Sequence, residues 1–313
     1  MIRIFKTEDG TIHEKQEMQP GSWIALTNPT ASEIIDVADA CRIDPDHLKA
    51  PLDEEERSRI EAEDEYTLIL VDIPSIEERN GKDWFVTIPM AIITTRDVLI
   101  TVCLEETPIL SAFMDGRVRD FHTFMKTRFI LQILYKNATQ YLQYLRIIDK
   151  KSEVIENKLH QAQKNEELIE LLELQKSLVY FTTSLRSNEV VLERLLKLDK
   201  IKKYPEDTDL LEDVIIENKQ AMEMTSIYNG ILSGTMDTFA SVISNNLNIV
   251  MKFLATVTIV MSIPTMVASF YGMNVNSRGM PFATHPYGFV IVLGFALALS
   301  LLVAYIFNKK DLF

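Results

Sequence analysis

From Phe253 to Tyr271 the chain carries no charged side chain. As a helix rising about 1.5 Å per residue, this run is long enough to cross the hydrocarbon core of a bilayer. It is also polar in a regular way. Asp237, Ser241, Ser244, Asn248, Met251, Ala255, Thr258, Ser262, Thr265 and Ser269 follow one another at alternating steps of four and three. Such a 3.5-residue repeat of small or oxygen-bearing side chains predicts helices supercoiled against one another or against copies of themselves. Polar groups within a membrane helix turn to the bundle interior or to a watery path. Two readings follow: a seam where small residues let helices pack closely, or the lining of a pore. Asn248 and Asn274 at its two ends favour the pore.

The remainder of the chain reads as water-exposed. Of 313 residues 25% are charged, and the apolar ones concentrate in the last sixty or so positions, which predicts a soluble body with a C-terminal membrane anchor. A net charge of −13 argues against nucleic acid as a partner and suits a body that meets cations. Cys41 and Cys103 are lone thiols, consistent with a reducing cytosol. The start, MIRIFKTEDG, has no apolar core of signal-peptide length.

Residues 1–116 read as a mixed α/β domain. Strands are expected at Ile2–Lys6, Trp23–Leu26, Tyr66–Ile73, Phe85–Thr94 and Val98–Cys103, with an Asn80-Gly81 hairpin turn. Helices are expected after Pro29-Thr30 and Asp44-Pro45. The acidic run Asp53–Glu56, with Glu61, Glu63, Asp64 and Glu65, reads as a solvated face, partly balanced by Arg57 and Arg59, with a cation site as the lesser alternative. His13, His47, His122, His160 and His285 lack zinc-ligand spacing. With no nucleotide-binding fingerprint and no nucleophile–base grouping, an enzyme is not expected.

Residues 117–204 contain neither Gly nor Pro and show helical periodicity, predicting two long antiparallel helices that turn near His160–Glu167. After Pro205, one helix is expected to run to Tyr271, its 205–250 part a stalk and its 251–271 part a first span bent at Pro264. A 272–286 loop and a second uncharged span at 287–308 follow, with a basic tail at 309–313. Lys252, Lys309 and Lys310 flank the spans, a modest bias that puts both termini in the cytosol. The fold class is thus an α+β cytosolic domain with a helical hairpin and a stalk helix continuing into a two-helix membrane region.

The first span ends in Tyr271-Gly272-Met273-Asn274, preceded by Asn248-x-x-Met251-Lys252-x-Leu254 and by Pro264-Thr265. In this setting the chain resembles the CorA family of magnesium transporters. The resemblance implies a homopentameric funnel in the plasma membrane, with lipid around it, that imports Mg²⁺ and possesses no organic cofactor. It implies a selectivity filter at Gly272, Met273 and Asn274, with Asn274 as the ring at the outer mouth. Thr258, Ser262 and Thr265 would line the path with Ala255 and Ser269, and Met251 and Leu254 would form a hydrophobic constriction. Asn248 would close its cytosolic end, above Ser244, Ser241 and Asp237. Asp213 would be a carboxylate of a regulatory Mg²⁺ site between subunits. Co²⁺ or Ni²⁺ as further cargo, a Zn²⁺/Co²⁺/Ni²⁺ carrier on the same scaffold, and a non-conducting coiled-coil sensor are the alternatives. The loop from Val275 to Pro286 holds no Asp or Glu, so any lure for cations at the mouth is not a carboxylate there.

Overall fold

A computed structural model describes residues 1–79, 81–162, 165–198, 204–274, 276, 279–283 and 285–310. The chain divides into two compact units, Met1–Met236 and Asp237–Phe313.

The first unit is built on a seven-stranded sheet. Its strands are β1 (Ile2–Glu8), β2 (Thr11–Lys15), β3 (Trp23–Thr27), β4 (Arg59–Ala62), β5 (Tyr66–Arg79), β6 (Lys82–Thr95) and β7 (Leu99–Cys103), in the order β2-β1-β3-β7-β6-β5-β4. Only β3 and β7 pair in parallel. Both faces are covered, so the central strands are apolar on both sides rather than alternating with polar residues. Ile24, Leu26, Leu68, Leu70, Ala91, Ile93, Ile100 and Val102 face one layer, with Ile34, Val37 and Leu48 of the short helices α1 (Ala31–Cys41) and α2 (Pro45–Lys49). Trp23, Ile69, Val71, Met90, Ile92 and Leu99 face the other. There Trp23 meets Phe113, Phe121 and Phe129 edge-on, and its Nε1 donates to Thr101 Oγ1 at 2.9 Å. That arrangement satisfies the indole N–H inside the core.

Local sequence explains the helix starts. Thr30 caps α1 through a reciprocal box with Glu33, and Asp44 caps α2, whose first residue is Pro45. The expected strands are all present, but β2 and β4 are additional. The helical run expected from Arg117 begins only at Lys126. Before it stand the short helix α3 (Pro108–Met114) and a non-helical link. Thr7 and Thr123 tie that link to β1 by exchanging N–H to Oγ1 bonds, each 3.1 Å. The long helices α4 (Lys126–Ala162) and α5 (Asn165–Leu195) pack on each other and against β5 and β6. Of the two expected turns, residues 163 and 164 of the helical one and Asn80 of the β5–β6 one lie outside the described residues.

Pro205 opens α6 (Pro205–Tyr271) rather than closing the hairpin before it; at the first helical position its missing N–H costs nothing. In the first unit α6 buries Leu211, Val214, Asn218, Ala221, Thr225 and Leu232. Spaced by threes, fours and a seven, they form one seam. Asn218 Nδ2 donates to the Leu185 carbonyl at 3.1 Å, and Gln175 Nε2 to Ser233 Oγ at 2.7 Å, joining α6 to α5.

The second unit holds the rest of α6 and α7 (Gly288–Lys309). Both helices are long and apolar enough to cross a membrane. Only 6% of the apolar window of α6 and 11% of that of α7 is buried, which is unlike the core helix of a soluble protein.

Candidate functional site

The stripe expected along α6 is realised as one unbroken helical surface. Pro264 sits inside the helix without ending it. At 100° per residue, Asp237 and Ser241 lie about 200° either side of Phe239, which is buried. Thr258 stands in the same relation to Thr256, which is also buried. The stripe therefore lies away from these two buried positions, on a helix most of whose surface its own unit leaves uncovered. Asp237, Ser241, Ser244, Asn248, Met251, Leu254, Ala255, Thr258, Thr265 and Ser269 are all exposed, and Ser262 is half-buried.

Three of the hydroxyls on this surface are already committed as donors. Thr258 Oγ1 donates to the Leu254 carbonyl at 2.8 Å, Ser262 Oγ to that of Ile259 at 2.8 Å, and Thr265 Oγ1 to that of Met261 at 3.3 Å. Back-bonding of this kind lets a polar residue sit in an apolar helix. It leaves the oxygen lone pairs, and no proton, to meet whatever lies alongside. Below them, exposed Leu254 and Met251 offer only apolar atoms.

The helix ends at Tyr271. The Gly272 amide still reaches the Ala268 and Ser269 carbonyls, at 2.9 and 3.2 Å, and that of Met273 reaches Phe270 at 3.3 Å. The last carbonyls of α6 thus finish at Gly272-Met273-Asn274, all three exposed and close to the negative end of the helix dipole. A contact not visible in the sequence secures this end. The Tyr271 hydroxyl donates to the Pro281 carbonyl at 2.7 Å, closing the loop that starts at Gly272. Farther on, Phe282 takes a φ of 61°, and a Cβ on Gly288 would fall 2.1 Å from the Phe282 carbonyl oxygen. Only glycine fits at the start of α7. On α7 the buried positions are Gly288, Ala296 and Ser300, small residues that suit close helix packing. Of the expected loop, Val275, Ser277, Arg278 and Thr284 lie outside the described residues, as does 311–313 of the tail.

Asp213 is exposed on α6 and belongs to no group of three or more ligating side chains among the described residues. In the first part of the acidic run, Asp53 Oδ1 accepts the Glu55 amide at 3.0 Å, and Glu56 pairs with Arg59. The histidines, scattered in sequence, are not all scattered in space. His47 lies beside Glu61 and Glu63, a grouping that linear spacing concealed.

Comparison with known proteins agrees with this architecture. The model of a family described as CorA-like Mg²⁺ transporter protein matches residues 19–310. The cobalt/magnesium transport protein CorA of Methanocaldococcus jannaschii is 26% identical over 297 residues, covering 92% of this chain and 90% of that protein. The protein of the same name from Thermotoga maritima is 22% identical over 324 residues, covering 99% and 88%. Among solved structures, the complete M. jannaschii CorA magnesium transporter superposes with a TM-score of 0.86 at 24% identity, covering 99% of this chain and 98% of that one. The cytoplasmic domain of ZntB from Vibrio parahaemolyticus gives a TM-score of 0.60 at 11% identity, covering 78% and 98%. At those identities the structural likenesses establish the fold.

Proposed function

The chain belongs to the CorA-like Mg²⁺ transporter family, and from that premise we propose that it is a homopentameric channel importing divalent cations, Mg²⁺ foremost, across the plasma membrane. The observation that carries this reading is the uncovered stripe on α6, with its hydroxyl protons turned inward to the backbone. Five copies around an axis would bury this surface and face its oxygen lone pairs to a shared path. Mg²⁺ parts reluctantly with its first water shell, and those waters point their hydrogens outward. A lining of acceptors at Thr258, Ser262 and Thr265, in the row that Ser269 continues, suits the hydrated ion, whereas a lining of donors would oppose it.

At the mouth, Asn274 supplies an amide oxygen beside the negative ends of five helices, which attracts a cation without a carboxylate. Met251 and Leu254 make a narrow apolar ring that closes by losing its water. Asn248 stands on the cytosolic side of this ring, and Asp237, Ser241 and Ser244 continue the path along the stalk. The absence of His and Cys from the stripe favours Mg²⁺ over Zn²⁺ and Ni²⁺, which prefer softer ligands. Both termini lie in the cytosol in this reading, with lipid around α7. A subunit interface would complete a ligand set around Asp213. Mg²⁺ held there only in the closed assembly would make cytosolic Mg²⁺ an inhibitor by mass action.

The test is Mg²⁺ uptake into liposomes containing the purified protein, with Co²⁺, Ni²⁺ and Zn²⁺ as competitors. Uptake that falls at least tenfold in Asn274→Ala is expected, and no uptake of any divalent ion by the unaltered protein would sink the reading. Asp213→Asn is expected to relieve inhibition by internal Mg²⁺; unchanged inhibition removes Asp213 from the regulatory site.

A further inference from the structure

The edge of the sheet carries a group of side chains that transport through α6 leaves unused. Tyr66 opens β5, and its hydroxyl accepts the Asp44 amide at 3.3 Å and meets His47 Nδ1 at 2.7 Å. The two rings are edge-to-face, with centroids 5.8 Å apart. Pinned in this way, the imidazole turns its other nitrogen to β4, where Nε2 lies 3.1 Å from Glu61 Oε2. Glu63 follows in the β4–β5 turn, held by its amide donating to the Tyr66 carbonyl at 2.9 Å. One ligand atom from each of His47, Glu61 and Glu63 falls within 4.8 Å of the others.

Charge at this cluster is unevenly matched. Arg59 binds the far oxygen of Glu61 and also Glu56. Arg59 thus takes one oxygen of Glu61 and leaves the other facing His47. Glu63 is exposed and has no cationic partner among the described residues. Two carboxylates thus converge on one oriented imidazole, from three separate pieces of backbone.

We propose that His47, Glu61 and Glu63 bind a transition-metal dication of the Zn²⁺ or Co²⁺ type in the N-terminal unit, apart from the Mg²⁺ path. An imidazole ligand selects for such ions, whereas Mg²⁺ takes oxygen ligands and keeps its water. Zn²⁺ takes both histidine nitrogen and carboxylate oxygen as ligands, and water completes the shell where the protein supplies three. Tyr66 plays the outer partner that a metal-bound histidine ordinarily has at its second nitrogen. A hydroxyl can donate or accept. Without metal, the Tyr66 O–H donates to Nδ1 and Nε2–H faces Glu61. With metal on Nε2, Nδ1–H donates to the Tyr66 oxygen instead. The site therefore accepts the ion by a tautomer change, with no rearrangement of the backbone.

The full-length, metal-stripped protein in detergent is titrated with Zn²⁺ by calorimetry under excess Mg²⁺, which occupies sites of the pore type. One Zn²⁺ per chain is expected. His47→Gln is expected to abolish this binding, and Glu63→Gln to weaken it at least tenfold. Glu63 is exposed, so its variant keeps the fold, as an unchanged melting curve would verify. Zn²⁺ binding absent from the unaltered protein, or equal to it in Glu63→Gln, overturns the proposal.

Discussion

Replacing Asn188 by alanine tests how the helical hairpin is fastened to the sheet. Asp72 on β5 stands opposite Pro89 on β6, but its N–H and carbonyl both turn to Asn188 rather than to that strand. The β4 strand stops short of it, its register ending at Arg59 opposite Leu70. The Asp72 backbone is completed from helices instead. Asn188 Oδ1 accepts its N–H at 2.9 Å, and Asn188 Nδ2 donates to its carbonyl at 2.7 Å, so the side-chain amide stands in for a neighbouring strand. The carbonyl has two further donors, Asn137 Nδ2 at 2.9 Å and the Tyr141 hydroxyl at 3.2 Å. Alanine at 188 leaves the carbonyl satisfied but strands the N–H. An unsatisfied buried donor costs about 1–3 kcal/mol, and the lost bond to the carbonyl adds about 1. A total of ~2–4 kcal/mol corresponds to roughly 5–15 °C in Tm for a unit of this size. Asn137→Ala is the control. It removes one of three donors to the same carbonyl and also a buried amide oxygen, Oδ1, that has no partner. Its cost is therefore about 1 kcal/mol or less. Melting curves of both variants decide the matter, with hydrogen exchange at the Asp72 amide as a local readout. Equal losses for the two, or an Asp72 amide that exchanges no faster in Asn188→Ala, would refute the reasoning.

Tyr271→Phe removes the bond to the Pro281 carbonyl, worth about 0.5–1.5 kcal/mol. Protease cleavage in the loop after Asn274 should quicken while the Met1–Met236 unit melts as before. Gly288→Ala drives a methyl into the Phe282 carbonyl and should cost on the order of 1–3 kcal/mol, measured as lost yield of folded protein in detergent. Burial raises the Asp72 carboxyl above the usual range, so the folded chain binds its proton more tightly than the unfolded one. Stability tied to this group is therefore fully present below the unfolded pKa and is lost as pH rises through the raised folded one. Asp72→Asn should flatten that slope in melts taken across acidic pH. Burial pushes the Cys41 and Cys103 thiols up to about 11, so both should resist alkylation at neutral pH in the folded protein.

The sequence by itself determined the features that depend on neighbours along the chain. The uncharged span, the heptad stripe, the starts of α1 and α2 and the unbroken run of α6 all follow from local spacing, capping and the lack of breakers. The Gly272-Met273-Asn274 end was legible for the same reason, since it is written in consecutive residues. Tertiary structure decided what depends on pairing at a distance. The strands β2 and β4 are short, polar edge strands whose patterns carry no hydrophobic alternation, and only a partner strand gives them their conformation. The link between α3 and α4 avoids helix because Thr7 and Trp23, far upstream, hold Thr123 and Phe121 in place. The exposure of the stripe could not be read either, because a periodic pattern names a face of the helix but not what covers it. The group of His47, Glu61 and Glu63 was hidden too, since it is Tyr66, at the head of a different strand, that turns the imidazole towards the carboxylates.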